Sequence, residues 1–499
     1  MLQHDASPSS RTEENVIAFS PVSTPQNPDP TSPTDIMKTR FFGIHLLALL
    51  FCGSAAAGPL DAAWIKGTTD KDPLSYAPGE EMVFTLEPMG VEGEFPAGEY
   101  QLEWTLSDDF GRRDTGRVPF TAAPFVFRTS LDRPGFVRLE AYVVDAEGKR
   151  YVKKFTGDAS TPEGKKAMNE FEKKPKSVFF DGGAGVEPDA IEPTPEPADF
   201  DAFWAGQFAR LDLVPIKADL VETDSPNANV RRWAVRIDCA GLRPVTGYLS
   251  IPKAADEGRK FRAHLETHGY NGNSFSPNKP GWVSGDAIVL NINAHGLKLP
   301  EFGATEADRK ALRWEVRSHD RDYAFDPAQN EDPETAYFNG MVLRVKRALQ
   351  YLKTLDCWDG TNLVAAGGSQ GGLQTLWAAG CGEGVTLARP GIPWCCDMAV
   401  NASRRERGAA GNSWYVPWTD SMGYYDAVNF AKRIPASCRL EVTRAGLGDY
   451  TCPPMGIAKL WNAIHPGNRK ILWVQGSTHG YVPPEYEGRD FVREEPAEP

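Results

Sequence analysis

Between Trp64 and Phe155 apolar and polar residues alternate at period two in four runs, "EMVFTLEP", "EYQLEWTL", "PFVFRTSL" and "GFVRLEAYVV", set apart by clusters such as "APGE" and "DRPG". Successive side chains of a strand point to opposite faces, so this alternation predicts short strands with one buried face. Their number and spacing predict a small all-β, immunoglobulin-like sandwich over residues 58–160. Residues 161–196, with "EGKKAMNEFEKKPK" and "EPDAIEPTPEPADF", offer little core material and read as a linker. Over 197–490 the period changes. Strand candidates "AHLETHG", "AIVLNINAHG", "NLVAAGG", "LEVTRAG" and "KILWVQG" alternate with helical stretches, and Met341, Val342, Val345, Leu349 and Leu352 trace one helical face. Strands interleaved with helices predict an α/β domain, a mainly parallel sheet in a three-layer αβα arrangement.

The first 36 residues are rich in Pro, Ser, Thr and Asp and cannot build a core; they read as disordered or as a mis-annotated leader. From Met37 the text becomes a signal peptide over 37–57: Lys38 and Arg40, an apolar run from Phe41 to Phe51, then Ala55 to Ala57. Met37 is therefore read as the true start and the protein as secreted or periplasmic. Bulky Phe51 makes lipid anchoring at Cys52 the weaker reading. The run is too short for a comfortable membrane span, and no other segment approaches one.

A net charge of −13 argues against a nucleic-acid surface, where a basic stripe is needed. Beyond the signal stand Cys239, Cys357, Cys381, Cys395, Cys396, Cys438 and Cys452. They read as small buried residues with one or two bridges, and the odd count leaves at least one thiol unpaired. No Cys or His spacing points to a metal, and no cofactor is implied.

The densest chemistry lies in "TNLVAAGGSQGGLQTL". Gly367-Gly368-Ser369-Gln370-Gly371 fits G-x-S-x-G between a strand and a helix, the turn that lifts a nucleophilic serine above a sheet edge in α/β-hydrolases. The hydroxyl needs a base and an orienting carboxylate, in the chain order Ser, Asp, His. Asp449 follows one strand candidate and His479 the next, both at strand ends where catalytic groups of α/β sheets gather. His465, at a helix end before Pro466, reads as structural, and so do Asp397 and Asp426. A catalytic His479 must be neutral, so the rate is expected to fall in acid. The oxyanion of ester cleavage needs two backbone N–H donors. These are assigned to Gln370 and, in the loop "THGYNG", to Tyr270.

The segments "PADFDAFWAGQFARL", "THGYNG", "GGSQGG", "YYDAVNFAKRI", "GLGDYTCPP" and "STHG", together spanning Pro197 to His479, resemble the acetyl xylan esterase and cephalosporin C deacetylase family of carbohydrate esterases. The resemblance implies Ser369 as nucleophile, Asp449 and His479 as its relay, Tyr270 and Gln370 as oxyanion donors, and an acetylated xylan-type carbohydrate as substrate. One departure stands out: His295-Gly296-Leu297 replaces the family's usual Arg-Gly-Gln, which unsettles substrate preference and the homo-oligomeric ring of some relatives. Competing readings are a glycan esterase for another acyl group, a peptidase-like hydrolase, and an inactive hydrolase that binds glycan. For the sandwich a structural role is favoured over glycan binding, with Trp64 and Trp104 as core residues.

Overall fold

The computed structural model describes residues 63–91, 99–155, 157–173, 176–270, 279–406, 414–484, 486 and 491–496, all within one compact unit, Ile44–Pro499. The signal and leader assignments, Cys52, and Asn271-Gly272 of the glycine loop lie outside the described residues.

Seven strands open the described chain: β1 (Trp64–Thr69), β2 (Met82–Met89), β3 (Tyr100–Asp108), β4 (Arg113–Pro119), β5 (Phe125–Thr129), β6 (Gly135–Asp145) and β7 (Phe179–Val186). They form a three-stranded sheet, β1-β2-β5, and a four-stranded sheet, β4-β3-β6-β7, with antiparallel pairing throughout. The period-two pattern has the expected cause. On β6 Val137, Leu139, Ala141 and Val143 are buried, while Arg138, Glu140 and Tyr142 stay half-buried on the other face. The buried set joins Phe84, Leu86, Leu102, Trp104 and Phe127 in one core, so Trp104 is a core residue.

The linker expectation is corrected by two elements. Helix α1 (Pro162–Glu172) is capped by Thr161, whose side chain accepts from the Gly164 N–H. Strand β7 pairs along β6 from Phe179↔Tyr142 to Val186↔Gly135. It escapes pattern reading because "FFDGGAGV" is buried on both faces and its glycines carry no apolar signal. Strand β4 escapes for the opposite reason: an edge strand with no buried residue shows no alternation.

The rest of the chain supplies β8 (Ala218–Thr223), β9 (Val230–Ile237), β10 (Val245–Pro252), β11 (Phe261–Thr267), β12 (Ala287–Ile292), β13 (Trp358–Gly368), β14 (Leu387–Gly391), β15 (Arg439–Gly446), β16 (Arg469–Val474) and β17 (Val492–Glu495). Its further helices are α2 (Phe200–Asp212), α3 (Glu306–Glu315), α4 (Tyr337–Lys353), α5 (Gln370–Gly380), α6 (Met398–Glu406), α7 (Ala427–Ala431) and α8 (Pro454–Ala463). The ten strands form one mixed sheet in the order β17-β16-β15-β14-β13-β11-β12-β10-β9-β8. The central strands, from β12 through β11, β13, β14 and β15 to β16, run parallel. Helices α2, α4, α5, α7 and α8 pack one on the next beside it. In α4 the predicted apolar face (Met341, Val342, Val345, Leu349, Leu352) is fully buried. No described helix is long and apolar enough to cross a membrane.

The N-terminal sheets are built into the α/β body. Phe136 of β6 stacks on Trp473 of β16 at 5.9 Å and belongs to the large core. Gln475 donates through Nε2 to the Gly183 carbonyl (2.8 Å) and accepts the Gly183 N–H on Oε1 (3.0 Å). A Cβ on Gly448 would stand 1.9 Å from the carbonyl oxygen of Asp181. Gly448→Ala is therefore expected to overpack this seam and cost about 1–3 kcal/mol. The check is the urea midpoint, which should fall; a midpoint equal to the parent's contradicts the packing.

Candidate active site

Strand β13 ends at Gly368 and α5 begins at Gln370, so Ser369 alone makes the turn. Its φ of 58° and ψ of −119° lie in a region that costs a non-glycine residue on the order of 1–3 kcal/mol. Three backbone hydrogen bonds fix it, from the Ser369 N–H to the Gly391 carbonyl (2.9 Å) and from the N–H groups of Leu373 (3.0 Å) and Trp394 (3.1 Å) to the Ser369 carbonyl. The flanking glycines serve close approach. A Cβ on Gly367 would fall 2.3 Å from Thr267 Oγ1, and one on Gly371 would fall 2.7 Å from the Thr267 carbonyl oxygen. Neither glycine has a positive φ; the serine does.

Asp449 sits just past β15, fully buried. Its Oδ1 accepts the N–H groups of Thr451 and Cys452, each at 3.0 Å. Its Oδ2 lies 2.9 Å from His479 Nδ1, and His479 Nε2 lies 2.9 Å from Ser369 Oγ. The carboxylate fixes the tautomer: Nδ1 carries the proton, so Nε2 is free to accept one from the hydroxyl. The three residues selected from the sequence thus meet at one rim of the sheet.

The rivals lie elsewhere. His465 is exposed. Asp426 caps α7 and accepts the N–H groups of Asp397 and Met398. Burial and the neighbouring Asp397 push its carboxyl up to about 7. Asp397 pairs with Lys459 at 2.8 Å.

The loop after β11 abuts the serine turn, since a Cβ on Gly269 would lie 3.6 Å from that of Ser369. His268 there is half-buried, desolvation lowers its pKa, and its Nε2 accepts the Ala294 N–H at 3.2 Å. The Tyr270 ring packs on Tyr323 (5.0 Å) and Trp414 (4.6 Å), and its hydroxyl donates to Asp322 at 2.8 Å. Gln370 is fully buried, and the Tyr323 hydroxyl donates to its Oε1. Its backbone N–H opens α5, where the first amides of a helix have no partner within it. His295 is buried against the same Tyr323 ring, with centroids 4.4 Å apart, and its Nδ1 is 3.0 Å from the Tyr337 hydroxyl. Burial, helped by Arg344, drives its pKa well down, so the ring is neutral.

Two features had no sequence signal strong enough to find them. Tyr323, on an irregular segment, joins His295 and Gln370. Cys452 places its Sγ 3.8 Å from His479 Nδ1. With Asp449 and His479 it gathers donor atoms within 4.8 Å of one another, the arrangement that could hold a metal. The chemistry fits a metal poorly, because His479 Nδ1 is engaged with Asp449, and burial and the Asp449 charge keep the Cys452 thiol protonated. All seven described cysteines are free, which corrects the expectation of one or two bridges.

At the carboxyl rim of the parallel central strands the structure thus brings together a serine turn, an imidazole and a buried carboxylate. Residues 191–406 match the family model described as acetyl xylan esterase (AXE1). The chain is 29% identical over 301 residues to acetyl esterase Axe7A of Xylanibacter ruminicola, a match covering 58% of this chain and 65% of that protein. Among solved structures it is similar to acetyl xylan esterase from Paenibacillus sp. R4, at 24% identity, TM-score 0.46, 59% of this chain and 93% of that one. It is also similar to acetyl xylan esterase 1 from Thermoanaerobacterium sp. JW/SL YS485, at 19% identity, TM-score 0.48, 59% of this chain and 92% of that one.

Tyr323→Phe removes the hydroxyl that satisfies Gln370 Oε1 and leaves that buried oxygen without a donor, at a cost of about 1–3 kcal/mol. The expected result is a lower denaturant midpoint with the fold retained by circular dichroism. An unchanged midpoint would show that the amide does not depend on this bond.

Proposed function

We propose that the protein is a secreted serine esterase that removes acetyl groups from xylan-type polysaccharides or oligosaccharides. The observation that carries this reading is the unbroken hydrogen-bond line from Asp449 through His479 to Ser369, within 2.9 Å at each step. His479 takes the hydroxyl proton as Ser369 attacks the ester carbonyl. The oxyanion is held by the N–H groups of Gln370 and Tyr270, and the imidazolium then passes its proton to the departing sugar oxygen. Water, deprotonated by the same imidazole, releases acetate. The family match supports acetate as the acyl group, and the apolar wall of Tyr270, Trp394 and Trp414 suits a small acyl chain. The same reading takes the α/β part as a three-layer hydrolase and the N-terminal sheets as an immunoglobulin-like sandwich. The signal pattern from Met37 supports export.

Ser369→Ala should lower turnover of p-nitrophenyl acetate by at least about 10³-fold, and Asp449→Asn by on the order of 10²- to 10⁴-fold, with both proteins folded. Turnover within tenfold of the parent in Ser369→Ala would remove the mechanism. For the substrate, acetate release from acetylated xylan should exceed ferulate release from feruloyl esters and cleavage of peptides. The reverse order would favour the esterase for another acyl group or the peptidase-like reading.

A further inference from the structure

A cavity of about 700 Å³ opens between the outer face of the four-stranded sheet and the loops that carry Asp449 and His479, and His479 itself lines it. That volume lies in the range of small-ligand sites and is ample for a sugar unit. Its floor is set by strand register. Arg113 pairs with Ser107, Ser107 with Arg138, and Arg138 with Gly183, so one row across the sheet brings Arg113 and Arg138 to the cavity. The next outward positions of β6, Glu140 and Tyr142, continue the floor.

Charge sets the cavity apart. Arg113, Arg138, Arg150 and Lys176 face it against two carboxylates, Glu140 and Asp181, in a chain with net charge −13. Arg138 is committed, at 2.7 Å from Asp181 and 3.0 Å from Glu140. Lys176 lies 3.3 Å from Glu172. Arg113 and Arg150 make no ion pair among the described residues, and both are exposed. The Arg150 guanidinium lies 3.6 Å from the centroid of the Tyr142 ring, which stacks on Phe179 at 5.5 Å. A cation held flat on an aromatic shelf at the mouth of a cavity is preset for an anion that arrives on a ring-shaped carrier.

We propose that this cavity is a subsite for an anionic sugar unit, carboxylated or sulfated, of the same glycan whose ester is presented to Ser369, with Arg113 and Arg150 binding the anion. The inference rests on the esterase reading for its carrier and assigns the N-terminal sheets a part in choosing substrate. Binding of the charged unit here brings the chain past His479, so acetyl groups close to an acidic unit are the ones delivered to the serine.

The test uses unacetylated ligands, whose binding needs no turnover. Calorimetry on the full chain compares xylo-oligosaccharides with and without a glucuronic acid branch, and a sulfated oligosaccharide with its unsulfated counterpart. At low salt the charged member of at least one pair should bind about tenfold more tightly, the size of a charge-assisted hydrogen bond, and added salt should shrink the gap. Which pair shows the gap identifies carboxylate or sulfate. Arg113→Gln with Arg150→Gln should erase it while leaving p-nitrophenyl acetate turnover within about twofold, since neither side chain contacts the triad. Equal binding of charged and neutral ligands, or a gap that survives the double substitution, overturns the subsite. Loss of the esterase reading would appear separately, as absent acetate release with the binding preference intact.

Discussion

The hydrogen bond between His479 Nδ1 and Asp449 Oδ2 is the constraint on which the site depends. An imidazole on a loop could present either nitrogen to the serine, and the carboxylate chooses. The choice is affordable because Asp449, although fully buried, has its charge met by the amides of Thr451 and Cys452 on one oxygen and by His479 on the other. Buried charge without such partners would be costly. The two residues lie past β15 and β16, which are parallel neighbours paired from Leu440↔Arg469 to Gly446↔Val474 with a one-residue shift of register between Val442 and Ala445. Ser369 comes from β13, with β14 between. Three sequence-distant groups meet because their strands end at the same rim.

That rim is supported from outside the α/β sheet. Strand β7 packs its glycines on the loop of Asp449, and Gln475, four residues before His479, is bonded to Gly183 in both directions. Phe136 adds an apolar anchor on Trp473. A strand with larger side chains could not come so close. The N-terminal sheets therefore pack on the two loops that carry Asp449 and His479, and residues of both line the cavity between them.

Much of this was legible in the chain. The alternation on β2, β3, β5 and β6, the apolar face of α4, and the glycine-flanked serine at a strand-to-helix junction each leave a strong periodic or compositional mark. Asp449 and His479 could be picked because chain order and strand ends restrict the choice. Other parts were silent for physical reasons. Strand β7 is glycine-rich and buried on both faces, β4 is an exposed edge, and the cationic row of Arg113 and Arg138 exists only in cross-strand register, which no local window contains. Cysteine count proved a poor guide to bridging, because a small thiol packs in a core as well as it bonds.

Covalent labelling measures the central claim most directly, because a fluorophosphonate reacts only with a serine whose hydroxyl an adjacent base activates. Digestion and mass spectrometry of the labelled full chain should place the adduct on the peptide of Ser369, with labelling lost in His479→Ala. An unlabelled protein, or an adduct on another serine, would contradict the account.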